Sequence, residues 1–204
     1  VVRNAVASLL APSAGTPSAV VAALGTAVSD VVSAVTTDPV LRAFVGQQVS
    51  AAVTSLLGGG AAAREAGATE IVVADAHGNG ENLLVEQFPA DVKIVRSWPR
   101  KLQMMGGLDQ TFDAAVFIGY HASTTNPTGV RAHTFSSATL TKVTLNGVEM
   151  SEGSWNAAIA GHFNVPVVMA SGDDAAIAEI RKLVGNIEGV ETKKSLGFHS
   201  ALTL

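Results

Sequence analysis

Three histidines and one glutamate stand where side chains of the chain could bind a metal ion. His77 and His121 each follow a short apolar run, His133 ends a polar loop, and Glu152 lies between a predicted hairpin and a predicted helix. Zinc accepts imidazole nitrogen and carboxylate oxygen as ligands. The chain has no cysteine, which excludes disulfides, cysteine-bound zinc, iron–sulfur clusters and a thiol nucleophile. The sequence therefore predicts a zinc site built from histidine and carboxylate.

Each of these side chains also has a purely structural interpretation. His77 could cap a following helix, with Asp75 as its hydrogen-bond partner. Glu152 could be an acid in the first turn of a helix, where the macrodipole favours it by less than about 1 kcal/mol. His133 could be a solvated loop residue. The functional interpretation is favoured because all four positions fall on the same predicted edge of the fold.

Short apolar runs alternate with helical stretches after residue 60, which indicates an α/β fold with a mainly parallel sheet flanked by helices. The predicted strands are Glu70–Ala74, Val92–Val95, Ala114–Ile118 and Val165–Ala170. The predicted helices are Ala61–Gly67 with Gly67 just past its end, Leu83–Phe88, Trp155–His162, and Asp174–Val184 with Ser171 as its cap. Asn146-Gly147 favours a type I′ turn and predicts one β-hairpin around it.

The predicted strands place two of the histidines. In open α/β sheets, ligands bind just beyond the carboxyl ends of the strands. His77 follows the strand that ends at Ala74, and His121 follows the strand that ends at Ile118. If these strands are neighbours, both imidazoles face one crevice, and the spacing alone leaves that condition open.

Charge divides the chain of 204 residues into two regions. Residues 1–60 are rich in Ala, Val and Ser, and their only charged residues are Arg3, Asp30, Asp38 and Arg42. We expect an atypical N-terminal segment, 1–60, followed by an α/β domain, 61–204. The net charge of −4 argues against a nucleic-acid or anionic-membrane partner. No apolar run reaches the roughly 20 residues of a membrane span, and a cytoplasmic location is expected.

From about residue 61 to the C-terminus, the order and spacing of several motifs resemble the zinc-dependent D-aminopeptidase family, first associated with a bacterial dipeptide-transport operon. The matching motifs include Ala66-Gly67-Ala68-Thr69-Glu70, Asp75-Ala76-His77-Gly78, Gly119-Tyr120-His121-Ala122, His133-Thr134-Phe135-Ser136-Ser137, Glu152-Gly153 with Asn156-Ala157, and Gly172-Asp173-Asp174. An ordered set of this length is far more specific than any one of its motifs.

The resemblance implies a metal-dependent aminopeptidase that removes N-terminal D-amino acids from short peptides. It implies two zinc ions per chain and a ring-shaped homo-oligomer, a decamer. Carried over by position, His77 matches a ligand of one zinc, and His121 and Glu152 match ligands of the other. His133 matches the catalytic histidine. Asp75 would be the partner that fixes the tautomer of a histidine.

The resemblance breaks at the N-terminus. The family begins with a strand ending in Asp-x-Glu-Gly, whose aspartate bridges both metals, and no Asp-x-Glu occurs in this chain. Three explanations stay open: a bridging ligand from elsewhere, such as Asp30 or Asp38; a catalytically impaired member that acts as an assembly or binding protein; or a segment 1–60 that does not represent the native protein. A related amidase with other substrates is a further alternative.

Overall fold

A computed structural model describes residues 63–64 and 67–203 of the chain. The predicted segment 1–60, with Asp30 and Asp38, lies outside the described residues. The chain divides into two units, Val1–Ile71 with Glu86–Val92, and Val72–Val85 with Lys93–Leu204. His77, His121, His133 and Glu152 all belong to the second unit.

In the first unit, the predicted helix end is confirmed at Gly67. Ala63 and Arg64 are helical. Gly67 has φ +97, a value that glycine adopts without strain. Its N–H donates to the Arg64 carbonyl at 2.9 Å, and the Ala68 N–H donates to the Ala63 carbonyl at 2.9 Å. These two bonds form a Schellman motif, which satisfies carbonyls that the ending helix leaves free.

The second unit contains strands, two helices and short 3-10 turns. The strands are β1 (Val72–Ala74), β2 (Lys93–Val95), β3 (Ala115–Tyr120), β4 (Thr144–Leu145), β5 (Val148–Glu149), β6 (Val167–Asp173), β7 (Glu188–Gly197) and β8 (Ser200–Thr203). The helices are α1 (Glu152–His162) and α2 (Asp174–Val184), and a 3-10 turn spans Gln103–Met105. Another 3-10 turn, Val85–Gln87, replaces the predicted helix Leu83–Phe88. In the described part of the chain, no helix has the length and apolar character that a membrane crossing requires.

The α/β fold class is confirmed. The largest sheet has the order β3-β6-β7-β8, with parallel pairing of β3, β6 and β7 and an antiparallel β8. β1 and β2 form a separate parallel pair. β4 and β5 form the hairpin predicted around Asn146-Gly147, with both turn residues at positive φ. The fold is thus a mixed sheet with parallel pairing at its centre.

Strands β7 and β8 were not predicted from the sequence. β7 contains Glu188, Glu191, Lys193 and Lys194, and none of its residues is buried. A strand beside the open edge of a sheet remains half solvated, so its sequence does not need the apolar run that marks a central strand.

Helix α2 spans Asp174–Val184 as predicted, whereas the start of α1 and the cap of α2 differ from the prediction. Helix α1 begins at Glu152 rather than Trp155, because the Ser151 side chain accepts the Ser154 N–H and caps the helix. Helix α2 is capped by Asp173, so the prediction of Ser171 as its cap was wrong. Strand β6 continues to Asp173 and pairs with β7 up to that residue, which moves the cap two residues downstream. Glu152 therefore lies in a helical first turn and not in a loop.

The two helices pack against the four-stranded sheet and share one core. Its buried members include Phe117 on β3, Val167 and Ala170 on β6, and Ile177 and Ile180 on α2. A Cβ atom added at Gly153 of α1 would lie 2.5 Å from Ile180 Cγ1. The first turn of α1 therefore approaches α2 closely only because residue 153 is a glycine.

The substitution Gly153→Ala should lower the free energy of unfolding by about 1–3 kcal/mol, because the new methyl group overpacks a buried contact. Gly161→Ala, in the same helix, is the matched control. A Cβ at Gly161 meets nothing within 4 Å, so that variant should gain up to about 1 kcal/mol from helix propensity. Urea unfolding of both variants measures the difference, and equal effects would contradict the close-packing argument.

Candidate metal centre

A loop between β3 and the β4–β5 hairpin brings His121 and His133 together. The His133 N–H donates to the Ala122 carbonyl at 3.0 Å. Thr124 and Thr134 exchange bonds, since the Thr134 N–H donates to Thr124 Oγ1 at 2.8 Å and the Thr124 N–H donates to Thr134 Oγ1 at 3.3 Å. These contacts close the loop at its base and place the two imidazole centroids 4.7 Å apart.

Small residues allow the two sides of this loop to approach. Ala122 is fully buried and Ala132 nearly so. A Cβ atom added at Gly129 would lie 2.6 Å from Ala122 Cβ and 3.2 Å from Ala132 Cβ. The loop that separates the two histidines can therefore close only with a glycine at position 129.

Glu152 reaches the same place from the first turn of α1. Its Oε1 lies 3.8 Å from His133 Nε2 and accepts the Phe135 N–H at 2.8 Å. The Phe135 ring contacts the Trp155 ring edge-on, with centroids 5.7 Å apart. Helix α1 thus positions the Glu152 carboxylate, and Trp155 of the same helix contacts Phe135, whose N–H that carboxylate accepts.

Both imidazoles of the loop are oriented by backbone carbonyls. His121 Nδ1 donates to the Val130 carbonyl at 3.1 Å, and His133 Nδ1 donates to the Arg131 carbonyl at 2.7 Å. Because a carbonyl oxygen can only accept, each Nδ1 carries a hydrogen, and in the neutral imidazole the lone pair is then on Nε2. This is how proteins prepare a histidine to bind a metal.

Burial shifts the charge states of this group. Burial lowers the pKa of His121, and this outweighs the opposite effect of the hydrogen bond to Val130, so the imidazole favours its neutral form. Burial raises the pKa of Glu152, and the Phe135 N–H and the nearby His133 offset only part of that rise. A cation bound here would reverse the shift, because positive charge favours the ionised carboxylate.

The ring of His77 is held by a side chain, Asp75, which the sequence predicts as its hydrogen-bond partner. Its Nδ1 lies 2.7 Å from Asp75 Oδ1 and its backbone N–H donates to the same oxygen, while the Leu83 N–H donates to Asp75 Oδ2 at 2.8 Å. Burial raises the pKa of Asp75, but these hydrogen bonds together hold it below its ordinary value. With its Nδ1 hydrogen on Asp75, the neutral His77 imidazole has its lone pair on Nε2.

The four predicted residues do not form one closed ligand set. β1, which precedes His77, pairs with β2, whereas β3, which precedes His121, pairs with β6. The condition that these strands be neighbours is therefore not met among the described strands. Across residues 63–64 and 67–203, no three His, Asp or Glu side chains meet closely enough to hold one ion. The donors nevertheless fit zinc chemically, since imidazole nitrogen and carboxylate oxygen are zinc ligands and the Glu152 carboxylate lies 3.8 Å from His133 Nε2.

Two acids that sequence reasoning missed, Asp173 at the cap of α2 and Glu179 within α2, hold the loop between His121 and His133. Asp173 Oδ2 accepts the Val130 N–H at 2.6 Å while its Oδ1 accepts the Ala176 N–H at 2.7 Å. Glu179 accepts the Ser123 N–H at 2.8 Å. The signal that could have found Asp173 is its place immediately before a helix.

A third support comes from the turn between β7 and β8. The Arg131 N–H donates to the Phe198 carbonyl at 2.9 Å. The Arg131 guanidinium carbon lies 5.3 Å from the centroid of the Phe198 ring. Since the Arg131 carbonyl orients His133, the two unpredicted strands also help to position a candidate site residue.

Comparisons with known proteins bear on the family of this chain. A family model described as D-aminopeptidase matches residues 26–204. A curated D-aminopeptidase of Bacillus subtilis (strain 168) is 34% identical over 136 residues, which are 67% of this chain and 49% of the relative. A solved structure is described as the Zn-dependent D-aminopeptidase DppA from Bacillus subtilis, a self-compartmentalizing protease. It matches with a TM-score of 0.68 and 30% identity over 80% of this chain and 58% of that one. The chain thus spans about half the length of its curated relative.

The substitution Asp173→Asn should loosen the histidine loop and lower the free energy of unfolding by about 1–3 kcal/mol, since an amide replaces one of two accepting oxygens. The Val130 amide should then exchange with solvent faster. Asp174→Asn is the matched control, because both of its N–H donors, from Ala175 and Ser195, share Oδ1. Hydrogen exchange followed by NMR measures the effect, and an unchanged Val130 in the Asp173 variant would contradict it.

Proposed function

The chain belongs to the D-aminopeptidase family (Peptidase_M55), and on that premise we propose that it is a zinc-dependent aminopeptidase acting on the N-terminal, D-configured residues of short peptides. The observation that supports this most is the common orientation of His77, His121 and His133. Each contacts an oxygen acceptor through Nδ1, so that Nε2 is the nitrogen available to a metal or a substrate.

Within this proposal, His121 and Glu152 bind one zinc ion and His77 binds another. Zinc supplies a water of lowered pKa and polarises the carbonyl of the scissile peptide bond. The burial of His121 keeps its imidazole neutral, as a ligand must be. The Asp75 carboxylate fixes the direction of the His77 ring through Nδ1.

His133 is proposed as the catalytic residue. Its Nδ1 is fixed by the Arg131 carbonyl, which leaves Nε2 to exchange a proton with the substrate or to stabilise the tetrahedral intermediate. Glu152 lies 3.8 Å from that nitrogen, close enough to stabilise the imidazolium when the proton is held there. The proton would leave for the departing amine.

The proposal extends to assembly and location. The related DppA is described as self-compartmentalizing, which supports a homo-oligomer, and we propose the ring-shaped decamer of the family. The lack of cysteine is compatible with the cytoplasm as the proposed compartment.

The two loop histidines should separate in function. His121→Ala should reduce the zinc content of the dialysed protein, because a ligand is lost. His133→Ala should keep the zinc and reduce turnover of a D-alanyl dipeptide by about 10²–10⁴-fold, since proton transfer is lost. Elemental analysis and an amine-release assay measure the two effects.

The control for that pair is His162→Ala, which removes an imidazole from the end of α1 and should alter neither zinc content nor turnover. Unchanged turnover in both the His121 and the His133 variants would contradict the proposed function. Hydrolysis of other amides but not of D-alanyl dipeptides would favour a related amidase instead.

The zinc content of the wild-type protein tests the two-ion proposal, and about two zinc ions per chain are expected. Intact mass and N-terminal peptide mapping of the same sample establish that residues 1–60 are present. Wild-type protein that stays free of zinc after zinc is added would favour the assembly or binding alternative.

A further inference from the structure

His77 is an exposed side chain with a fixed orientation. Of its side-chain surface, 54% is accessible, whereas the side chain of Asp75 is fully buried. Packing therefore does little to hold the imidazole, and its direction depends on the hydrogen bond to Asp75. Whatever fixes the backbone of residues 75–77 also fixes the direction of Nε2.

Arg100 reaches this backbone from the segment after β2. Its Nη2 donates to the Asp75 carbonyl at 2.6 Å, its Nη1 to the Val95 carbonyl at 3.2 Å and its Nε to the Gln103 carbonyl at 2.7 Å. One guanidinium thus joins the end of β1, the end of β2 and the following 3-10 turn. The rigid planar fork of arginine suits donation to three carbonyls in fixed positions.

Trp98 holds both Arg100 and His77. Its indole Nε1 donates to the His77 carbonyl at 3.2 Å. Its ring lies 4.0 Å from the Arg100 guanidinium carbon, a cation–π distance. The two side chains therefore form one unit, the Trp98–Arg100 clamp, which binds the backbone carbonyls of Asp75 and His77.

The chain leaves space for this clamp. A Cβ atom added at Gly106 would lie 2.8 Å from Arg100 Cδ and 2.9 Å from Arg100 Nε. Any larger residue at 106 would displace the guanidinium from its three carbonyl partners. The absence of a side chain at this point is a second feature that supports the clamp.

We propose that Trp98 and Arg100 are positioning residues that hold His77 in its Nδ1–H tautomer, with Nε2 directed outward as a metal donor. The identity of the metal rests on the proposed function, but the positioning itself does not. Neither residue touches the substrate or the reacting atoms in this proposal, because both act through the backbone of Asp75 and His77.

The metal-free protein gives the first test, by long-range ¹H–¹⁵N NMR of the imidazoles at a pH where they are neutral. His77→Gln identifies the signal of His77. Wild-type His77 should be in the Nδ1–H tautomer alone. Trp98→Phe, which keeps a ring below the guanidinium but removes the indole N–H, and Arg100→Lys should both produce a mixture of tautomers.

Arg181→Lys is the matched control. Arg181 also donates to a backbone carbonyl, that of Ile187, through Nε and Nη2, but on α2 and away from residues 75–77. This variant should leave the His77 signal unchanged. An unchanged His77 tautomer in both clamp variants, or the same change in the Arg181 variant, would overturn the proposal.

Zinc affinity, measured by competition with a chelator, gives the second test. Weakening by about 10–100-fold is expected in both clamp variants, as for other groups that orient a metal-binding histidine. A thermal melt of the metal-free variants separates this effect from lost stability. If wild-type protein binds no zinc, the proposed function fails, and the NMR test still decides whether the clamp positions His77.

Discussion

One buried carboxylate, that of Asp173, joins the three elements on which the candidate centre depends. It ends β6, caps α2 with Oδ1 and holds the Val130 N–H with Oδ2. Val130 in turn provides the carbonyl that orients His121. A buried charge is stable only when its oxygens are satisfied, so the packing of β6 and α2 and the closure of the histidine loop require one another.

The histidines are oriented by two kinds of acceptor, and these differ in their consequences. A carboxylate accepts the Nδ1–H of His77, whose side chain is 54% exposed, so this hydrogen bond does most to fix the direction of the ring. Backbone carbonyls accept the Nδ1–H of His121 and His133, so the direction of these two rings depends on the conformation of the loop that contains them.

Residue types and apolar periodicity predicted the central strands, both helices, the Asn146-Gly147 hairpin and the pairing of His77 with Asp75. They did not predict β7, because a half-solvated strand has charged residues where a buried strand has apolar ones. They misplaced the cap of α2, because the extent of β6 is set by its pairing with β7 and not by local sequence. The proximity of Glu152 to His133, and the clamp of Trp98 on His77, depend on tertiary contacts that no local pattern encodes.

The candidate ligands also differ in their sequence separation from the residues that hold them or their loop in position. His77 and Asp75 are two residues apart, whereas Val130 and Asp173 are separated by 43 residues and Ser123 and Glu179 by 56. The entropy lost on closing a loop rises with its length, so contacts between residues close in sequence lose the least entropy as the chain folds. The Asp75–His77 pair and its Trp98–Arg100 clamp join residues no more than 25 positions apart, whereas the orientation of His121 depends on β6 and α2, which lie further along the chain. The two parts of the candidate centre therefore depend on contacts of different range, and loosening of α2 would reach His121 without reaching the Asp75–His77 pair.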